Sequence, residues 1–169
     1  MNKTFVMIHG SWHGGWAWQG VERQLSKKGY RAQAPTLPGH GPGAMRLGVS
    51  HQDCVRAVVS YIQEQRLGNV ILVGHSFGGS VIQKVAEEIP SLIERTVFLD
   101  ALIVEDGHCV FDELPAEYVA LFNDLARASP RRVNNRAHQH HSIWSVARSL
   151  RQQYGRQGDH CRSRDALAD

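Results

Sequence analysis

Cysteine is scarce and unpatterned. The three present, Cys54, Cys109 and Cys161, give an odd count with no metal-ligand spacing, which argues against a disulfide framework and a structural metal site alike. No apolar run approaches the roughly 20 residues that a membrane-spanning helix needs. The N-terminal MNKTFVMIHG has no leader-type apolar core and opens directly on strand-like sequence. These absences predict a reduced, cytoplasmic protein with no membrane contact. Internal repeats and low-complexity stretches are also missing. Lysine is absent from residues 131–169, where eight arginines and three aspartates leave a net charge of +5, against −2 for residues 1–130. An arginine-only tail raises nucleic-acid binding, but nothing in it promises a folded basic surface, so no nucleic-acid partner is expected.

What is present is enough for one globular domain: 169 residues, 42% of them hydrophobic and 21% charged. Residues 4–9, TFVMIH, form an apolar run suited to a strand covered on both faces. Helical spacing follows over residues 15–28, with Trp16, Val21 and Leu25 as the inward stripe. A second strand is predicted over 30–35, and TLPGHGPG at 36–43 is a loop by its proline and glycine content. Residues 50–67 read as an amphipathic helix carrying Cys54, Val55, Val58, Val59 and Ile62, with Ser50 as N-cap and Gly68 as stop. Strands at 69–74 and 94–100 flank a helix at 80–89. The alternation specifies an α/β fold, a parallel sheet with helices on both faces. A further helix is expected at 111–128, and a weaker one at 142–153.

The chain is organised around NVILVGHSFGG at residues 69–79. A buried strand runs into Gly74-His75-Ser76-Phe77-Gly78, a G-x-S-x-G signature, and then into a helix. In that context the motif is a nucleophile elbow, a strand-to-helix turn tight enough to need flanking glycines and to push the serine hydroxyl out at the end of the sheet. Gly79 would let the helix approach the sheet closely.

HGSWHGGWAW after the first strand, TLPGHGPG after the second, GHSFGG at the elbow and the VFLDA strand together resemble the α/β-hydrolase fold. The likeness is greatest to its small serine-esterase branch of plant methylesterases, hydroxynitrile lyases and bacterial pyrethroid-hydrolase-type esterases. It extends over about residues 4–128. It implies Ser76 as nucleophile and an oxyanion hole built from the backbone N–H groups of Ser11 and Phe77. It further implies a small-molecule ester as substrate, and neither metal nor organic cofactor. His9, His75 and His40 read as locally hydrogen-bonded residues, His13 as a cleft neighbour, and Trp12, Trp16 and Trp18 as core or pocket wall. Thr36 stands where the family often has Asp.

The strands that would bring the triad acid and base are missing. Residues 131–169, with a His138-Gln139-His140-His141 cluster and no Val/Ile-rich strand, do not replace them. The abrupt change predicts a truncated or frame-shifted hydrolase whose native-like sequence ends near Pro130. Residues 1–130 would then be the core with the start of a cap, followed by a poorly ordered tail, and sequencing across the codons for 125–135 is the check. Within the chain, Asp100 and His108 are the weak candidates for acid and base. Three functions stay open: a serine esterase, a lyase of the hydroxynitrile type, and an inactive fragment or pseudo-hydrolase. A sheet ending early also predicts self-association through its exposed edge.

Overall fold

A computed structural model of the chain describes residues 3–11, 13–45 and 48–128. The expectations for Trp12 and for residues 131–169 lie outside the described residues. Four strands, β1 (Thr4–Ile8), β2 (Arg31–Gln33), β3 (Val70–Ser76) and β4 (Ile93–Ala101), form one sheet in the order β2-β1-β3-β4, with every neighbouring pair parallel. Among the described residues four α-helices accompany them: α1 (Gln19–Lys27), α2 (His51–Glu64), α3 (Phe77–Glu88) and α4 (Ala116–Ala128).

Period-2 alternation along the central strands divides the core in two. Val6, Ile8, Val70 and Leu72 face α2 and α3, meeting Val55, Val58, Ile62, Val81, Ile82 and Val85. Met7, Ile71 and Val73 face the opposite way, against Trp18 and the half-buried Leu25 and Ala34. Both faces of β1 and β3 are therefore covered, which is why their sequences are apolar throughout rather than alternating. The α/β architecture with helices on both faces is as expected.

Ser50 caps α2 through a reciprocal pair. Its hydroxyl accepts the Asp53 N–H at 3.2 Å, and the Asp53 carboxylate accepts the Ser50 N–H at 2.7 Å. The Ser50 hydroxyl also donates to the Asp53 carboxylate at 2.6 Å, and this bond, the Ser50 N–H and Arg56 hold the Asp53 carboxyl down at about 2.

Several boundaries differ from expectation for physical reasons. The predicted 15–28 helix is a 3-10 turn at Gly15–Trp18 followed by α1. The tighter turn shifts the phase, so Trp18 is buried while Trp16 and Val21 are 48% and 43% exposed. The helix predicted from residue 80 begins at Phe77, directly on the elbow. That predicted from 111 begins only at Ala116, because Pro115 cannot sit in a helix interior and instead offers its carbonyl to the Tyr118 and Val119 N–H groups of the first turn. Strand β4 is one of the two outer strands among the described residues, and Val97, Phe98 and Leu99 on it are 37%, 37% and 50% exposed.

Candidate active site

Ser76 ends β3 and is the N-cap of α3, at φ 52° and ψ −122°. Positive φ is rare for a residue with a side chain and costs about 1–3 kcal/mol. Packing enforces it. A Cβ on Gly74 would lie 2.6 Å from the Gly78 carbonyl oxygen, and one on Gly78 would lie 2.5 Å from that of Ile8. The helix start is thus pressed against β1 and β3 so closely that the chain turns within one residue, and that residue is Ser76.

The glycine-aromatic turn after β1 meets the same point. A Cβ on Gly10 would lie 3.0 Å from Ser76 Cβ and 3.4 Å from its Oγ. The parallel register explains the meeting: Ile8 pairs with Gly74, so both strands deliver their following residues to one end of the sheet. Ser11 and Ser76 are each half-buried there.

Two peptide planes at this end are held from behind. The Gly10 carbonyl accepts His9 Nδ1–H at 2.8 Å and the His13 N–H at 3.2 Å. In a trans peptide the following N–H points opposite to that carbonyl, so these bonds fix the direction of the Ser11 N–H. Likewise the Ser76 carbonyl accepts the Leu102 N–H at 3.0 Å, fixing the Phe77 N–H. Phe77 is the first residue of α3, where N–H groups lie outside the helix ladder and the helix end favours negative charge.

His9 is fully committed to this arrangement. Its other nitrogen, Nε2, accepts the Leu37 N–H at 3.0 Å. Burial pushes the imidazole down to about 4, and the neighbouring His40 and His13 act in the same direction. A neutral ring with Nδ1–H is the only form that satisfies both partners. His40 packs edge-on against it, with ring centroids 5.0 Å apart, and its Nδ1–H donates to the Pro38 carbonyl at 2.9 Å. The local structural roles expected for His9 and His40 agree with these contacts. His13 lies between the rings of Trp16 and His75, at 5.6 and 6.4 Å.

The Phe77 side chain is fully buried between His40, stacked at 6.0 Å, and His51, edge-on at 5.7 Å. The Ser80 hydroxyl donates to the Phe77 carbonyl at 2.9 Å and therefore accepts from His51 Nε2–H at 3.1 Å. Burial pushes His51 down to about 4, so it too is neutral at pH 7. Sequence reasoning missed His51 and Ser80. One sits at a helix start beside a cap and the other follows a glycine pair, and neither position carries a motif.

The acid and base candidates lie elsewhere. Asp100 is exposed at the end of β4 with φ 44°, one residue before Ala101, the register partner of Ser76. His108 is on the following loop, where Glu113 at 2.9 Å raises its pKa. Among the described residues no histidine is hydrogen-bonded to Ser76 Oγ or to Asp100, and no cluster of His, Cys, Asp and Glu could hold a metal ion. Cys54 is buried and its thiol is pushed up to about 12, which keeps it unreactive. A cavity of about 450 Å³ lies behind the elbow, between α3 and the 104–110 loop, and its lining includes neither Ser76 nor Ser11.

Comparison with known proteins fits this geometry. A family model described as alpha/beta hydrolase matches residues 5–168. The chain is 42% identical over 114 residues to a carbendazim hydrolyzing esterase of Nocardioides sp. (strain SG-4G), covering 66% of this chain and 47% of that protein. It is 33% identical to a pyrethroid hydrolase of Sphingobium wenxiniae over 60% of this chain and 37% of the other. An extracellular alpha/beta-hydrolase from a Paenibacillus species superposes with a TM-score of 0.72 at 43% identity, covering 75% and 52% of the two chains. The chain thus spans about half the length of such relatives or less. No helix among the described residues is long and apolar enough to cross a membrane. The strained serine between two pinned peptide planes and the match along nearly the whole sequence lead to one conclusion: this chain belongs to the alpha/beta hydrolase family.

Proposed function

We propose that the chain carries the nucleophile and oxyanion hole of a serine carboxylesterase acting on small esters. The observation that supports this most strongly is Ser76, held at positive φ on the β3–α3 junction with the Gly10 turn against its Oγ. The esterases, methylesterases and pyrethroid hydrolase among its relatives point to ester chemistry. In this reading Ser76 Oγ attacks the ester carbonyl and gives up its proton to a base. The carbonyl π electrons move onto oxygen, which the Ser11 and Phe77 N–H groups receive. Collapse expels the alcohol, and water then hydrolyses the acyl-enzyme.

Asp100 and His108 remain the chain's own candidates for acid and base, with His108 needing to leave Glu113 to serve. Small ester substrates are the proposed partners. Self-association through the β4 edge belongs to the same proposal, supported by the exposed Val97, Phe98 and Leu99. A cytoplasmic setting belongs to the same proposal, supported by the scarcity and unpatterned spacing of cysteine in the sequence.

The test is p-nitrophenyl acetate hydrolysis followed well past one equivalent of product. Sustained turnover is expected. A burst of one equivalent that then stops would mean acylation without a deacylating base, the behaviour of an incomplete hydrolase. Cyanohydrin cleavage without ester turnover would favour the lyase reading instead.

A further inference from the structure

The chain leaving β4 does not simply depart. Asp100 turns at φ 44°, the β3–β4 register breaks between His75 and Ser76, and residues 101–104 then wrap around the elbow as a strap. The strap lies hard against α3: a Cβ on Gly79 would be 2.6 Å from the Leu102 carbonyl oxygen and 2.7 Å from Ala101 Cβ. Its Leu102 N–H is the group that holds the Ser76 carbonyl.

At the far end of the strap stands Gln83, six residues along α3 from Phe77. Its Oε1 accepts the Val104 N–H at 2.8 Å and its Nε2 donates to the Val104 carbonyl at 3.1 Å. One side-chain amide thereby satisfies both main-chain groups of one residue, as a neighbouring strand would. A carboxylate lacks the donor and an alkyl chain lacks both groups.

Resting on the esterase reading above, we propose that Gln83 is a positioning residue for the oxyanion hole. By clamping Val104 to α3 it keeps the strap taut, so that Leu102 fixes the Ser76–Phe77 peptide plane and aims the Phe77 N–H. Gln83 touches no reacting atom. It acts through Val104, Leu102 and the Ser76 carbonyl. The alternative for Gln83 is general stabilisation of the fold, and the two differ in what else moves.

The experiment compares the native chain with Gln83→Leu and Gln83→Glu. It reads three quantities: hydrogen exchange at the Leu102 and Val104 amides with Val73 in β3 as control, the denaturant midpoint, and capture of trifluoroacetone at Ser76 by fluorine NMR. Capture forms the Oγ–carbon bond, moves the carbonyl π pair onto oxygen and releases the Oγ proton to solvent, so it loads the oxyanion hole without needing turnover. Gln83→Leu is expected to speed Leu102 exchange and weaken capture, each about 10-fold, short of the 10²–10³ for losing a donor outright. Val73 exchange is expected to stay unchanged. Gln83→Glu, which still accepts the Val104 N–H, should lose less of both and keeps the test open if the leucine variant fails to fold. Unchanged capture with faster Leu102 exchange would overturn the proposal, and so would uniform acceleration at Leu102 and Val73. If the native chain captures no ketone at Ser76, the esterase reading itself falls and the positioning role falls with it, a result distinct from a variant-specific effect.

Discussion

His9→Gln is expected to weaken trifluoroacetone capture at Ser76 by about 10²-fold, the lower end of what loss of one oxyanion donor costs. His9→Asn should stay within a few-fold of native. The two variants separate the two bonds of the imidazole. The amide nitrogen of Asn can take the place of Nδ1–H on the Gly10 carbonyl, at 2.8 Å in the native chain, while leaving the Leu37 N–H unserved. The longer Gln can reach the Leu37 N–H with its oxygen and abandons Gly10. If the Ser11 N–H is aimed by the Gly10 carbonyl behind it, capture follows the Gly10 bond. Both variants lose one buried hydrogen bond, worth roughly 1–3 kcal/mol when a group is left unsatisfied, so their stabilities should be similar. Capture that falls equally in both, in step with unfolding free energy, would make His9 an ordinary core residue.

Gly78→Ala is expected to destabilise the chain by about 2 kcal/mol or more, measured from the urea midpoint. Two effects oppose each other. Alanine in a helix is favoured over glycine by about 1 kcal/mol, which would stabilise α3. Against this, the new Cβ would sit 2.5 Å from the Ile8 carbonyl oxygen and 2.9 Å from that of His9. Both are main-chain atoms, and Ile8 is in the central strand β1, paired with β3, so neither can swing aside as a flexible side chain would. Overpacking of this kind costs about 3 kcal/mol at the upper end of its usual range, which exceeds the gain in propensity. Relief would push α3 off the sheet and relax the φ of Ser76, so ketone capture should fall as well. A variant as stable as the native chain would show that the helix start is not pressed on β1.

The sheet and the elbow were legible in the sequence because both rest on local signals. Val70–Val73 is an unbroken apolar run because β3 is covered on two faces, and G-x-S-x-G names the turn that follows. The meeting of the Gly10 turn with Ser76 was legible only through family resemblance, since nothing within either stretch encodes their register. The inward stripe at Trp16 failed because a 3-10 turn changes the phase of everything after it, and no residue in GWAW announces one. Helix α3 starts three residues before the sequence suggests because Gly78 and Gly79 read as turn residues, whereas close packing is what requires them. His51, Ser80 and Gln83 were invisible for a different reason. The contacts that join His51 to Ser80 and Gln83 to Val104 span 29 and 21 residues, and a polar residue on a helix looks the same whether it meets water or a distant partner.

The central claim is that the β3–α3 junction presents Ser76 as a nucleophile. A fluorophosphonate tests it most directly, because the serine oxygen displaces fluoride from phosphorus and the product is permanent and weighable. The account predicts one adduct per chain by intact mass, mapped to the peptide containing Ser76, and none in Ser76→Ala. An unlabelled native chain, or an adduct that persists in Ser76→Ala, would contradict it.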